Sequence, residues 1–413
     1  MKILSLDGGG SWALIEARCL LDLYGDITGH EVLRKFDMVI TNSGGSMVLA
    51  CLIKDLKLSE ICNWYLNINI RQSIFSKLGF FDKTIVEDIA SCAKIGPRYK
   101  TVDKLKGLRD NLVKTGGKKM SELPEYIGKP SLQLIICSFD YERNREVFFR
   151  SYKQSMADSY YYDRMVHHNP DGRFSEVTLA EAVHGSSNAP VNYFNKPALI
   201  RYQGENFDRQ FWDGAVGGYN NPVFAGVTEA VANGRRLDEI RVLSIGTASD
   251  LLPLYNEQHT PPEVNEFLYQ LAKSKLTNDI KKLATAILAD PPDSASFHAY
   301  TMVHGGLPDK SKRFFRFSPL IKPHYNKAVK RWEIPTSFTA AEFKQLINMD
   351  MDAVEQQEVL LIDKLCTQWM SAEGQIDNQA IRCNSMLEPI IGYGRYGDAK
   401  AAFEAHFDDD VVA

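Results

Sequence analysis

A serine that could act as a nucleophile lies between a strand and a helix that are both predicted to be buried. Ser43 follows the apolar run 38–40 and precedes the apolar helix predicted over 47–56. A serine in such a sharp turn presents its hydroxyl on a strained elbow above the helix N-terminus. The neighbours must be small, as Gly44-Gly45 are, whereas Thr41 stands where a glycine is usual. A serine that only caps the helix is the alternative, and the local sequence leaves both open.

A serine nucleophile needs a base within hydrogen-bond reach. Asp213 ends the aromatic strand Phe211-Trp212 and is followed by Gly214. Rings beside this carboxylate would exclude water and raise its basicity, although Asp-Gly is also a common turn. His184 is the nearest histidine candidate. A lone histidine is more often a polar side chain with a satisfied hydrogen bond than a base.

Three consecutive glycines, Gly8, Gly9 and Gly10, follow the first predicted strand. Their backbone N–H groups can converge on one anion, which suits a phosphate or the oxyanion of acyl transfer. The run 8–13 also matches G-x-G-x-x-A, which would indicate a nucleotide-dependent oxidoreductase. That interpretation is weak because the next strand closes with Thr41-Asn42 and not with an acid. A simple strand-to-helix turn is the third alternative.

The order of the predicted elements indicates an α/β fold. Strand, helix, strand and helix occur within the first 56 residues, which favours a mainly parallel sheet. A long helical insertion is predicted at about 59–130. Further strands are predicted over 132–138, 147–150, 209–212 and 240–245, and helical spacing returns at 264–288 and 339–370.

Composition and charge narrow the class of protein. The chain has 413 residues, 44% of them hydrophobic and 24% charged, with a formal net charge of −4. These values are typical of a globular protein and do not favour a nucleic-acid polymer as partner. The seven cysteines include no C-x-x-C pair, so we expect a cytoplasmic protein without structural zinc. No apolar run approaches the roughly 18 residues of a spanning helix, and no secretory signal is recognised.

In this order, the glycine turn, the Ser43 elbow and the Asp213-Gly214 motif resemble the patatin-like phospholipases. The likeness extends over about residues 1–372 and leaves 373–413 as an appended C-terminal segment. It implies a mainly parallel central sheet flanked by helices, a patatin-like α/β/α sandwich with a helical insertion. Further segments that resemble family blocks are Phe36-Asp37-Met38-Val39, Gly96-Pro97-Arg98-Tyr99, Met120–Pro124, Leu179–Phe194, Leu243–Thr247, Phe314–Phe317 and a helix near Asp350-Met351-Asp352.

The resemblance also implies a mechanism. Ser43 would be the nucleophile of a Ser-Asp dyad and Asp213 its general base. The N–H groups of Gly8, Gly9 and Gly10 would form the oxyanion hole. No cofactor and no metal would be needed.

Two departures from the family pattern lie next to the proposed catalytic residues. Trp12 and Ala13 replace the Arg and Gly of D-G-G-G-x-R-G, and Thr41 replaces the first glycine of the elbow. Since Ser43 and Asp213 are retained, we expect a lipid acyl hydrolase of phospholipase A type. One version of this hypothesis is a bacterial phospholipase that an effector activates. The alternative is a catalytically silent lipid- or nucleotide-binding protein on the same scaffold.

The predicted partner is a phospholipid at a membrane surface. Residues 74–81 contain a cluster of apolar side chains, and residues 94–119 contain nine Lys or Arg against two Asp. Together these segments predict peripheral docking on an anionic bilayer; a core hairpin and a solvated helix face are the alternatives. The basic stretch would also suit a cyclic-nucleotide activator. The sequence leaves the oligomeric state open.

Overall fold

The computed structural model of the protein describes residues 1–78, 97–152, 177–191, 193–202, 206–253, 267–269, 274, 293–379, 381 and 391–407. The helical spacing predicted over 264–288 falls almost entirely outside these residues, as do Phe80-Phe81 and the acidic tail after Phe407.

Thirteen strands occur in the described part of the chain, eight of them in one sheet. The strands are β1 (Lys2–Leu6), β2 (Met38–Thr41), β3 (Gln133–Asp140), β4 (Arg145–Arg150), β5 (Ala198–Ile200), β6 (Arg209–Asp213), β7 (Arg241–Ile245), β8 (Ser249–Asp250), β9 (Phe314–Phe317), β10 (Pro319–Ile321), β11 (His324–Asn326), β12 (Arg331–Glu333) and β13 (Asp377–Asn378).

The large sheet has the order β5-β6-β3-β2-β1-β7-β9, with β4 also paired to β3. Neighbours from β3 to β9 are parallel, and β4, β5 and β6 add an antiparallel side. The predicted α/β class with a mainly parallel sheet is confirmed. Two smaller sheets join β13-β10-β8 and β11-β12.

Helices cover both faces of the large sheet. Leu4 and Val39 belong to one apolar cluster and Ile3 and Met38 to another, because side chains alternate along a strand. Residues 293–304 are also helical. The named helices are α1 (Leu14–Tyr24), α2 (Gly29–Arg34), α3 (Ser43–Ile53), α4 (Leu58–Leu66), α5 (Ile68–Ile74), α6 (Thr101–Asn111), α7 (Leu123–Ile127), α8 (Leu179–Ser186), α9 (Val223–Ala232), α10 (Ala340–Asn348), α11 (Gln356–Met370) and α12 (Tyr396–His406).

The C-terminal segment packs into the core formed by the first helices. The ring of Phe403 in α12 lies edge-on to Tyr24, and Phe407 lies against Phe36. The division of the chain at residue 372 stays a prediction.

The register of the sheet decides which residues meet at its edge. Leu6, Thr41 and Ile136 occupy one row across β1, β2 and β3. Two residues farther along β3, Ser138 is paired with Asp213 of β6. Two residues beyond Leu6 and Thr41 are Gly8 and Ser43, so the chain trace brings all three motifs to the same edge.

A buried ion pair connects Asp7, at the start of the glycine turn, to β9 at the end of the large sheet. Arg316 of β9 donates two hydrogen bonds to the Asp7 carboxylate, at 3.0 and 2.6 Å, and both side chains are 3% exposed. Arg316 also donates to Ser244 Oγ at 2.8 Å and to Gln379 Oε1 at 3.3 Å. The guanidinium therefore anchors the residue that precedes Gly8.

We predict that Arg316→Met lowers the free energy of unfolding by about 3–5 kcal/mol, because it leaves the Asp7 carboxylate buried without its counter-charge. Urea unfolding followed by circular dichroism measures the change. The matched control is Arg236→Met, which breaks the exposed pair Arg236–Asp238 and should leave the unfolding midpoint in place. Equal midpoints for both variants would contradict this role of Arg316.

Candidate active site

The predicted elbow is present at Ser43. This residue opens α3 with a φ of 45°, in the left-handed region that a non-glycine residue rarely occupies. The following glycines allow the close packing, since a Cβ on Gly44 would lie 2.7 Å from Gly10 O and one on Gly45 would lie 2.7 Å from Asp7 O. The strained turn is held by two hydrogen bonds, from Ser43 N to Ser186 Oγ at 2.9 Å and from Ser46 Oγ to Ser43 O at 2.6 Å.

Asp213 ends β6 and caps the 3₁₀ turn Gly214–Gly217. Its Oδ1 accepts hydrogen bonds from Ala215 N and from Asn42 Nδ2, both at 2.9 Å. Burial raises the pKa of Asp213, and the interactions with Ser43, Ala215 and Asn42 and the charge of Lys104 oppose that rise. The Ser43 hydroxyl is therefore close enough to act on the carboxylate. A buried carboxylate beside a serine hydroxyl has the arrangement of a general base and its nucleophile.

The structure therefore brings together the serine and the aspartate predicted from the sequence, in a site with little access to water. Ser43 is 5% exposed and Asp213 is 3% exposed. His184, the alternative base, is buried in α8, and burial lowers its pKa well below the usual range. Its Nδ1 has no hydrogen-bond partner among the described residues.

The glycine turn lies beside the elbow. The Cβ of a side chain at Gly8 would lie 3.2 Å from Ser43 Cβ, and one at Gly44 would lie 2.8 Å from Gly10 N. The N–H of Gly8 donates to Asn220 O at 2.6 Å, so in this arrangement it is not available as an oxyanion donor. Within the described part of the chain the N–H groups of Gly9 and Gly10 have no backbone acceptor.

Residues 350–352 hold the second half of the glycine turn. Met351 O accepts a hydrogen bond from Ser11 N at 2.9 Å, and Asp350 O accepts one from Trp12 Nε1 at 3.2 Å. Trp12, which stands where the family pattern has an arginine, is thereby buried against this segment. The helix predicted near Asp350-Met351-Asp352 has its counterparts in α10 and α11, and the three residues themselves form the connection between these helices.

Sequence reasoning missed three residues of the site. Asn42 fixes Asp213, Ser186 fixes the amide of Ser43, and the side chain of Lys104 is fully buried near Asp213. Asn42 and Ser186 lie in segments that the family resemblance covers. The sequence shows which residues stand there, but it does not show which atoms they bind. Lys104 was counted within a basic stretch, and nothing in its neighbours along the chain indicates burial.

The two segments predicted to dock on a membrane are only partly at the surface. Ile74 and Phe75 are buried, and Phe75 packs against Tyr99 and Phe194, so the core alternative is correct for this pair. Arg98, in the basic stretch, is paired with Asp350 at 2.9 Å. The predicted cyclic-nucleotide activator stays a prediction.

No cluster of three or more His, Cys, Asp or Glu that could hold a metal ion occurs in the described ranges. Of the helices described, none combines the length and the apolar character that crossing a bilayer requires.

The chain is similar to known proteins in sequence and in structure. A family model described as patatin-like phospholipase matches residues 4–226. Among solved structures, the crystal structure of VipD from Legionella pneumophila is similar, with 12% sequence identity, a TM-score of 0.32, and coverage of 89% of this chain and 66% of that chain. The chain thus spans just under two thirds of the length of VipD. No curated protein matched.

The matched residues 4–226 include the glycine turn, Ser43 and Asp213, and they make up more than half of the chain. The protein therefore belongs to the patatin-like phospholipase family, whose members are typically lipid acyl hydrolases.

Proposed function

We propose that the protein is a serine hydrolase of phospholipase A type, which cleaves fatty-acyl esters of membrane phospholipids through a Ser43-Asp213 dyad. The proposal is carried by the closeness of the Ser43 hydroxyl to the buried Asp213 carboxylate, whose pKa it lowers. Asn42, the residue before Ser43, donates a hydrogen bond to the same carboxylate at 2.9 Å. Neither a metal nor a histidine takes part in this reaction.

The first half of the reaction forms an acyl-serine. Asp213 accepts the proton of the Ser43 hydroxyl as its oxygen attacks the ester carbonyl. The tetrahedral intermediate collapses, the bond to the lysophospholipid oxygen breaks, and Asp213 returns the proton to that oxygen. The acyl chain stays on Ser43 Oγ.

The second half releases the fatty acid. A water molecule takes the place of the leaving alcohol and gives a proton to Asp213 as it attacks the acyl carbonyl. The second tetrahedral intermediate expels Ser43 Oγ, which recovers the proton. In both halves the negative charge on the carbonyl oxygen is stabilised by backbone N–H donors of the glycine turn. Gly9 and Gly10 are the donors we assign, because the N–H of Gly8 is engaged with Asn220 O.

We predict that Ser43→Ala and Asp213→Asn each lower kcat/KM on a phospholipid by at least about a thousandfold, since the nucleophile or its base is removed. Release of fatty acid from a panel of phospholipid vesicles measures the loss. The exposed residues Ser121 and Asp110 provide the controls Ser121→Ala and Asp110→Asn, which should keep wild-type activity.

Two outcomes would contradict the dyad. Full activity of the Ser43 variant would remove this serine from the mechanism, and an active Asp213→Asn variant would point to His184 as the base. A wild-type protein that does not react with a fluorophosphonate at Ser43 would favour a silent binding protein on the same scaffold.

We predict that Gly10→Ala slows the reaction of Ser43 with a fluorophosphonate by about a hundredfold, the effect of losing an oxyanion donor. Gly10 has a φ of +56°, and an added Cβ would lie 2.3 Å from Met351 O, so the turn must move. The control is Gly25→Ala, at a φ of +73° with nothing within 4 Å. Like Gly10 it has a positive φ, and the variant should react as fast as wild type. Equal rates for the two variants would contradict the role of the turn.

We further propose that α6 faces an anionic bilayer. Val102 is 77% exposed and Val113, just after the helix, is 78% exposed. Lys106 and Lys114 are exposed on the same segment. Exposed valines beside lysines suit the boundary between anionic headgroups and acyl chains. The opposite side of α6 carries the buried Lys104. Docking through the exposed valines and lysines would therefore bring the bilayer to the side of the molecule that holds the site.

We predict that the double variant Val102→Asp/Val113→Asp loses sedimentation with vesicles containing phosphatidylglycerol, because two carboxylates oppose insertion and repel the anionic surface. Hydrolysis of a soluble short-chain ester should be unchanged. The control Val329→Asp changes a valine that is 52% exposed in the β11–β12 hairpin. If the double variant and the control sediment equally well, α6 is not the docking face.

A further inference from the structure

Lys104 of α6 is a buried lysine that the mechanism above does not use. Its side chain is 0% exposed, and within the described residues no carboxylate lies at ion-pair distance from its Nζ. Burying an ammonium group without a close counter-ion is costly, and such lysines are more frequent at functional sites than elsewhere. The residue therefore requires an explanation.

Burial lowers the pKa of Lys104 well below its usual range, and the charge of Asp213 opposes that fall. The groups in contact with Nζ also favour its charged form. Nζ donates a hydrogen bond to His184 O at 3.3 Å and lies 4.4 Å from the centre of the Phe194 ring. A carbonyl oxygen only accepts hydrogen bonds, and a ring face attracts a cation. Neither neighbour can donate to the lone pair of a neutral amine.

The carbonyl that Lys104 binds belongs to the segment that holds both members of the dyad. His184 lies in the last turn of α8, two residues before Ser186, whose Oγ accepts the N–H of Ser43 at 2.9 Å. The carbonyl of Asn188, two residues farther on, accepts the N–H of Asp213 at 3.1 Å. Lys104 thus anchors this segment and places a positive charge within electrostatic range of Asp213.

We propose that Lys104 is a positioning residue that supplies the counter-charge of Asp213 in this water-excluded site, and so keeps the carboxylate ionised and able to accept the serine proton. This inference rests on the proposed function. It identifies a part of the site that lies within the helical insertion, far along the chain from all three motifs.

Other titratable groups face the same region. His184 of α8 is buried, with a pKa that burial and the charges of Lys104 and Arg109 hold well below the usual range. The Cys137 thiol of β3 is buried near Asp213, and burial raises its pKa well above the usual range. Both shifts favour the neutral forms, so neither group offers Asp213 a counter-charge, and Lys104 is the cation that the proposal assigns to it.

The test compares Lys104→Met, which removes the charge, with Lys104→Arg, which keeps it; the control is Lys327→Met, at an exposed lysine of the β11–β12 hairpin. Two readouts are taken against pH: the ¹³C signal of the Asp213 carboxyl, assigned with Asp213→Asn, and the rate of fluorophosphonate labelling of Ser43. Removing a nearby cation disfavours the ionised carboxylate. The proposal therefore expects both midpoints of Lys104→Met at higher pH than in wild type, with Lys104→Arg and Lys327→Met unchanged.

Unmoved midpoints in Lys104→Met, with a rate reduced equally at every pH, would reduce Lys104 to a packing residue and overturn the inference. If Lys104→Met does not fold, the variant Phe194→Leu provides the test. Loss of the ring destabilises the ammonium form of Lys104 and should move both midpoints in the same direction. Unmoved midpoints in Phe194→Leu would overturn the inference as well. If wild-type Ser43 is not labelled at all, the proposed function fails, while the ¹³C titration still tests the charge balance between Lys104 and Asp213.

Discussion

The closeness of the Ser43 hydroxyl to the Asp213 carboxylate depends on the register of one sheet. Parallel pairing aligns β1, β2 and β3, and antiparallel pairing of β6 with β3 brings the end of β6 to the same edge. A shift of one residue between β3 and β6 would turn the Asp213 side chain to the other face of the sheet. The long apolar strands that set this register therefore also set the chemistry.

The site contains strain and unfavourable burial that the surrounding contacts offset. Ser43 has a positive φ, and the ionisable side chains of Asp7, Lys104 and Asp213 are nearly withdrawn from water. Each of these side chains has a specific partner: Arg316 binds Asp7, Asn42 and Ala215 bind Asp213, and Lys104 donates to His184 O. Such groups reduce stability, and their concentration at one edge of the sheet is typical of a catalytic site.

The sequence was sufficient to predict the local parts of this arrangement. The apolar runs of β1 and β2 and the elbow at Ser43 follow from neighbours along the chain, and the structure contains all of them. Contacts between distant segments were not predictable in this way. The burial of Ile74, the use of the Gly8 N–H by Asn220 and the loop at residues 350–352 all depend on packing between segments far apart in sequence.

A crystal structure of the wild-type protein with a phosphonate covalently bound to Ser43 tests the central claim most directly. The account predicts that the phosphoryl oxygen accepts hydrogen bonds from the N–H groups of Gly9 and Gly10 at about 2.7–3.1 Å, with the Asp213 carboxylate still beside Ser43 Oγ. A phosphoryl oxygen directed away from the glycine turn, or an Asp213 side chain turned away from Ser43, would contradict it.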